Sequence, residues 1–175
     1  MKRVLTVAVA TLMALAITSC SKSKKLAKHH NDLLDTYETL KKEMPEALVT
    51  MEGERVKVVL PEAVLFQINS ADLNPGYLPI LAKMSRVLNK YPQTAILVTG
   101  YTDATGTAAF NKQLSEKRAN NAKANLVANK VAAKRIHTWG LGDKNPIADN
   151  ATDAGRKQNR RVEYIIMYDY KADNK

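Results

Sequence analysis

A two-layer α+β domain, with two main helices on one face of a mixed β-sheet, is the fold this sequence predicts, and three observations point to it. Tyr77, Ile80, Leu81, Met84, Val87, Leu88 and Tyr91 recur at helical spacing, and a second helical stretch runs from about Thr107 to Ala128. Around them lie apolar segments of strand length, among them Thr94-Ala95-Ile96-Leu97-Val98-Thr99, which is apolar on both faces and so reads as a central, buried strand. Leu48-Val49-Thr50 and Arg55-Val56-Lys57-Val58-Val59-Leu60 flank Met51-Glu52-Gly53-Glu54, a hairpin signal with Gly in the turn. Helices interleaved with such strands bury their apolar stripes by covering one face of the sheet.

A signal peptide and a helical tether are expected ahead of this domain. Lys2-Arg3 is followed by an uncharged run from Val4 to Ile17 and then by small residues ending in Cys20, the pattern of a secretory signal. The run is shorter than the roughly 20 apolar residues that a membrane span needs. Ile17-Thr18-Ser19-Cys20 resembles a bacterial lipobox, in which cleavage precedes a Cys that carries lipid. Cys20 is the only Cys in the chain, so it has no intramolecular disulfide partner, and lipidation accounts for it. The expected divisions are therefore 1–19 signal, 20–46 lipidated N-terminus and tether, and 47–172 domain. Leu26, His30, Leu33, Tyr37, Leu40 and Met44 recur at steps of three and four, a narrow helical stripe that Pro45 ends. The stripe suits a helix that docks on the domain or acts as a spacer; it falls short of the three to four heptads of a coiled coil. Such a spacer reaches about 40 Å as a helix and at most about 90 Å extended.

Within the domain, Pro61 stops the second strand and Val64-Leu65-Phe66-Gln67-Ile68 is a short apolar segment. Ser70-Ala71-Asp72-Leu73-Asn74-Pro75 carries the polar and Pro punctuation that precedes a helix, and Pro92 closes that helix. The second helix is expected to pack through Phe110, Leu114, Ala122 and Leu126. Arg135-Ile136-His137-Thr138-Trp139-Gly140 reads as a third core segment, and Val162, Tyr164, Ile166 and Tyr168 alternate with Glu163, Ile165 and Met167 in a last strand.

The chain carries a net charge of +10; without Lys2 and Arg3 it has 25 basic against 17 acidic residues, a net charge of +8. Basicity suits nucleic acid, anionic lipid or an anionic polymer, and the export signal removes nucleic acid from that set. Catalysis and cofactors find no support. His29 and His30 fall in the tether, His137 stands alone in a strand, and no HExxH or His/Cys cluster is present to hold a metal. Gly140-Leu141-Gly142 lacks the third Gly and the helix of a dinucleotide site. The chain thus reads as a binding protein rather than an enzyme.

The segment Gly100 to Ala119, GYTDATGTAAFNKQLSEKRA, puts Asp103 just past an apolar strand and Arg118 fifteen residues on, inside the next helix. The carboxyl end of a strand in an α/β unit is where ligands generally sit. An acid and a guanidinium there suit a zwitterion, the acid taking an ammonium and the Arg a carboxylate. The spacing serves a helix cap or a loop-to-helix ion pair equally well. Asn111 and Arg118 are seven residues apart and share a helix face with Leu114 and Ser115. A basic run, Gly155-Arg156-Lys157-Gln158-Asn159-Arg160-Arg161-Val162-Glu163, precedes the last strand.

Together these two motifs resemble the OmpA-like domain, a peptidoglycan-binding module of bacterial envelope proteins, over about Val56 to Tyr168. The resemblance implies a ligand, the diaminopimelate of the peptidoglycan stem peptide, gripped by Asp103 and Arg118. It adds Asn111 and Thr102 to the site, with Leu114 as an apolar floor. Arg161 is preferred to Arg160 for cationic reach, although the sequence does not decide which points inward. Asn69 falls in a loop that often contributes polar contacts, although Phe66-Gln67-Ile68-Asn69 departs from the commoner acidic version. Asn129-Lys130 stands where the family usually has a Gly, and Asn129 is expected to take the left-handed turn. Ser21 in place of the usual retention Asp favours the outer membrane, with lipid on Cys20 as anchor. The implied role is an outer-membrane lipoprotein that binds peptidoglycan noncovalently, its domain facing the periplasm. The alternative is a module that docks another envelope protein, in the manner of the Pal lipoproteins.

Overall fold

The computed structural model describes residues 2–66 and 70–170, with residues 2–21 as backbone only. Asn69 and the side chain of Cys20 therefore lie outside the described residues. The chain divides into two compact units, Met1–Asp32 and Leu33–Lys175. The first belongs to helix α1 (Lys2–Glu43), on which Leu26 is exposed. No helix among the described residues is long and apolar enough to cross a membrane.

The second unit begins with the last turns of α1. Leu33, Leu40 and Met44 are fully buried in the core and Tyr37 packs against it. The Tyr91 hydroxyl donates to Asp35 at 2.5 Å. The stripe's apolar positions from Leu33 onward are thus part of the domain's core, while Leu26 is not.

Strands β1 (Leu48–Met51), β2 (Arg55–Pro61), β3 (Ala95–Tyr101), β4 (Ile136–Gly142) and β5 (Arg161–Met167) form one sheet in the order β1-β2-β5-β3-β4. All pairs are antiparallel except β3 with β4. The hairpin forms as its sequence predicts, with Leu48 opposite Val59 and Met51 opposite Val56, and Gly53 supplies a φ of +59° in the turn. The last strand inserts between β2 and β3, so both of its edges are hydrogen-bonded. Val56, Val58, Leu60, Ile96, Val98, Val162, Tyr164 and Ile166 line one face, and all are buried.

Among the described residues four more α-helices follow: α2 (Glu62–Leu65), α3 (Leu78–Lys90), α4 (Ala108–Ala128) and α5 (Asp153–Asn159). Helix α3 follows a tight turn over Pro75–Tyr77 and buries Leu81, Met84, Val87 and Leu88. Near its carboxyl end the Leu88 and Tyr91 carbonyls accept from Arg135 Nη2 (3.1 and 2.9 Å), whose Nε donates to the Thr94 carbonyl at 2.7 Å. A cation there complements the partial negative charge of the helix end.

Helix α4 is the crossover between the parallel strands β3 and β4, as such a pair requires. Its first turn is capped by Thr107, whose hydroxyl accepts from the Phe110 N–H at 3.2 Å. The buried face of α4 is Asn111, Ser115, Arg118, Ala119, Ala122 and Leu126. Contrary to the apolar pattern, Phe110 is exposed and Leu114 half-buried. The reason lies in the sheet beneath, where Gly100 and Gly140 face each other across β3 and β4. A Cβ built on either would come within 2.3 Å of the α4 backbone, at the Ser115 carbonyl oxygen and the Glu116 nitrogen. Where it crosses these glycines, around Ser115 and Glu116, the helix lies so close that its buried face is small or polar and Phe110 is turned outward.

Two other expectations are corrected. Trp139 is exposed on the edge strand β4, although Ile136 of the same strand is buried in the core as expected. Lys130, with a φ of +69°, takes the left-handed position after α4, whereas Asn129 has a φ of −89° and donates its side-chain N–H to the Asn125 carbonyl at 2.9 Å.

Candidate functional site

The chain leaves β3 at Tyr101 and turns through a loop of small residues to the Thr107 cap of α4. Thr102 is buried; its N–H donates to the Gly142 carbonyl (2.8 Å) and its hydroxyl to the Asp103 carbonyl (2.9 Å). Buried Asn111 reaches back from α4 and donates to the carbonyls of Asp103 (3.3 Å) and Thr105 (2.9 Å). A second loop braces the first from below. Fully buried Asn159 accepts from the Ile147 and Ala148 N–H groups (2.8 and 3.0 Å) and donates to the Ala148 carbonyl and the Asn150 side chain (2.8 and 2.9 Å). Asn150 in turn accepts from the Ala104 N–H at 3.2 Å.

Asp103 does not cap α4, a role Thr107 fills. One carboxylate oxygen accepts from the Thr105 N–H (2.9 Å) and hydroxyl; the other accepts from Arg160 Nη1 at 2.6 Å. Burial acts to raise the Asp103 pKa, but the Thr105 and Arg160 hydrogen bonds outweigh it and hold the carboxyl below its ordinary value. It is an anion at neutral pH.

Arg118 is not the direct partner of Asp103. Its guanidinium pairs with Glu62 and donates to the Ser70 carbonyl from Nε (3.2 Å) and Nη2 (3.1 Å), with its carbon 5.3 Å from the centre of the Phe66 ring. Glu62 also lies 2.7 Å from Arg160 Nε. The four groups therefore form a charge chain, Asp103 to Arg160 to Glu62 to Arg118, with two acids and two guanidiniums. Burial pulls the Arg118 pKa down and the Glu62 carboxylate opposes that, so the guanidinium stays charged. Only Arg160 reaches solvent appreciably: its side chain is 32% exposed, against 3% for Arg118 and 8% for Asp103.

Arg161, preferred on sequence grounds, is directed elsewhere. It is buried, donates from Nε to Glu163 at 2.7 Å and to the Asn159 and Asn145 carbonyls, and stacks on the Tyr101 ring at 3.7 Å. Burial and the Glu163 carboxylate push the Tyr101 hydroxyl up to about 12. The period of two along β5 explains the choice: Arg161 shares the Glu163 face, while Arg160 falls on the side of Val162, which lies opposite Gly100 beneath α4. The sequence shows that the two arginines alternate, and the structure shows which side faces the Asp103 loop. The roles of Glu62 and Asn159 carry no such signal: Glu62 meets Arg118 across 56 residues, Asn159 binds groups 9 to 12 residues before it, and Glu62 shows only as a lone acid between Pro61 and an apolar stretch. Leu114 lies half-buried on the face shared with Asn111 and Ser115.

The family model described as the OmpA family matches residues 65–160. The probable lipoprotein YiaD of Escherichia coli (strain K12) is 44% identical over 118 residues, 67% of this chain and 54% of YiaD. This chain thus matches about half the length of that relative. Among solved structures, the cell wall anchor of the T6SS from Pseudomonas aeruginosa superimposes with a TM-score of 0.68 and 29% identity, covering 77% of this chain and 96% of the other. The peptidoglycan-associated lipoprotein from Burkholderia pseudomallei gives a TM-score of 0.55 and 30% identity, with coverage of 59% and 88%.

Proposed function

This chain belongs to the OmpA family, and on that premise we propose that it is an outer-membrane lipoprotein that grips peptidoglycan noncovalently, lipid on Cys20 holding one layer and the Asp103 site the other. The observation that carries this reading is the Asp103, Arg160, Glu62, Arg118 chain at the carboxyl end of β3, a cluster of paired charges with one guanidinium open to solvent. The side-chain end of diaminopimelate bears an ammonium and a carboxylate on one carbon. Asp103 takes the ammonium; Arg160 and Arg118 take the carboxylate. Lysine at the same place offers the ammonium alone and leaves the guanidiniums unread. Asn111, Thr102 and Asn159 keep the loop in shape, and Leu114 supplies an apolar patch beside it.

No reaction step is needed. Many copies on one polymer multiply a modest affinity per site, so tethering needs only grip. The test is sedimentation of the detergent-solubilised full chain with isolated sacculi. Wild type is expected to pellet and Asp103→Ala and Arg118→Ala to stay in the supernatant, with binding weakened as salt rises. Equal pelleting of all three overturns the proposal.

A further inference from the structure

Glu62 occupies the place that a ligand carboxylate needs. It follows Pro61, and its N–H donates to the Arg160 carbonyl at 2.9 Å, which fixes its backbone against the start of β5. Its side chain is only 14% exposed, and its two oxygens face Arg118 and Arg160. Arg118 has no other anion within ion-pair distance among the described residues, and its Nε and Nη2 also donate to the Ser70 carbonyl. An incoming carboxylate that engages Nη2 of Arg118 takes the position of Glu62. Until it arrives, Glu62 spares the fold an uncompensated buried guanidinium, which is among the costlier defects a core can hold.

Resting on the zwitterion reading above, we propose that Glu62 is an internal counter-anion that fills the carboxylate seat of the empty site and is displaced by the carboxylate of the ligand. Glu62 then sets affinity and selectivity together. A ligand with a carboxylate competes with it and gains both guanidiniums, whereas an ammonium-only ligand leaves Glu62 in place and gains Asp103 alone. The geometry favours exchange over sharing, since the Arg118 side chain is almost wholly enclosed and Glu62 already holds its Nη2.

The experiment measures binding of stem tetrapeptides that carry diaminopimelate or lysine at the third position, by calorimetry, to the full chain and to Glu62→Gln. Removing the competing charge is expected to tighten the diaminopimelate peptide by about tenfold and to leave the lysine peptide unchanged. If Glu62→Gln does not fold, Glu62→Asp, which withdraws the carboxylate by one methylene, is expected to shift affinity in the same direction. A second arm needs no peptide: acetate is expected to raise the melting temperature of Glu62→Ala saturably, while chloride at equal ionic strength does not. Unchanged or weaker binding of the diaminopimelate peptide by Glu62→Gln, while wild type still distinguishes the two peptides, overturns the exchange and makes Glu62 a fixed support. If wild type binds neither peptide, the zwitterion reading itself fails. The acetate arm then still decides whether an anion seat exists, and no stabilisation by acetate removes it.

Discussion

Replacing Gly100 with Ala tests how the sheet sets the position of α4. The added Cβ would lie 2.3 Å from the Ser115 carbonyl oxygen and 3.2 Å from its Cα, both backbone atoms of α4. Ordinary carbon contacts begin near 3.5 Å, so α4 must retreat by about 1 Å or the strand must buckle. No rotamer change relieves a clash with backbone. Overpacking of this kind costs about 2 kcal/mol, which for a domain of this size lowers the melting temperature by about 8 °C. The retreat also carries Asn111 and Arg118 away from the Asp103 loop, so binding to sacculi should fall further than the fraction unfolded accounts for. Thermal denaturation and sacculus sedimentation of the same preparation give both numbers. Gly76→Ala is the control, since its Cβ would meet only the Asn74 side chain at 3.4 Å and should change neither. A Gly100→Ala protein with wild-type stability and binding would refute the close-approach argument.

Arg160→Ala and Arg161→Ala should separate binding from stability. The first removes two partly exposed ion pairs, to Asp103 and Glu62, at a cost of about 1 kcal/mol or less each, while weakening sacculus binding; the second breaks a buried pair and should destabilise by about 3 kcal/mol in urea titration. The depressed pKa of Asp103 means that its contribution to stability is present above the unfolded carboxyl value, near pH 4, and is lost as pH falls through the lower folded value. The stability gap between wild type and Asp103→Asn should therefore be open at pH 7 and close below about pH 4 in melts across that range. Lys130→Gly should raise stability by about 1 kcal/mol, because a left-handed residue with a Cβ is strained there; no gain in the urea midpoint would contradict the reading of its φ of +69°.

Much of the fold was legible along the chain. The hairpin around Gly53, the helix after Pro75, the Thr107 start of α4 and the buried strand at Ile96 all follow from local periodicity and turn chemistry, which act over a few residues. Periodicity misjudged α4 because it assumes that a buried face is large and apolar. Here the buried face is Asn111, Ser115, Arg118 and Ala119, and the pair of glycines that makes it so comes from two different strands.

The sequence by itself determined that Asp103 lies just past a strand, that Arg118 and Asn111 share one face of the following helix, and that a basic run precedes the last strand. Only the tertiary structure decided which charges meet. It joined Arg160 rather than Arg118 to Asp103, turned Arg161 onto Tyr101, and brought in Glu62 from 56 residues away as the shared partner of both site guanidiniums. Charge pairing depends on distance in space, and β5, the last strand to be made, fixes that distance by inserting between β2 and β3.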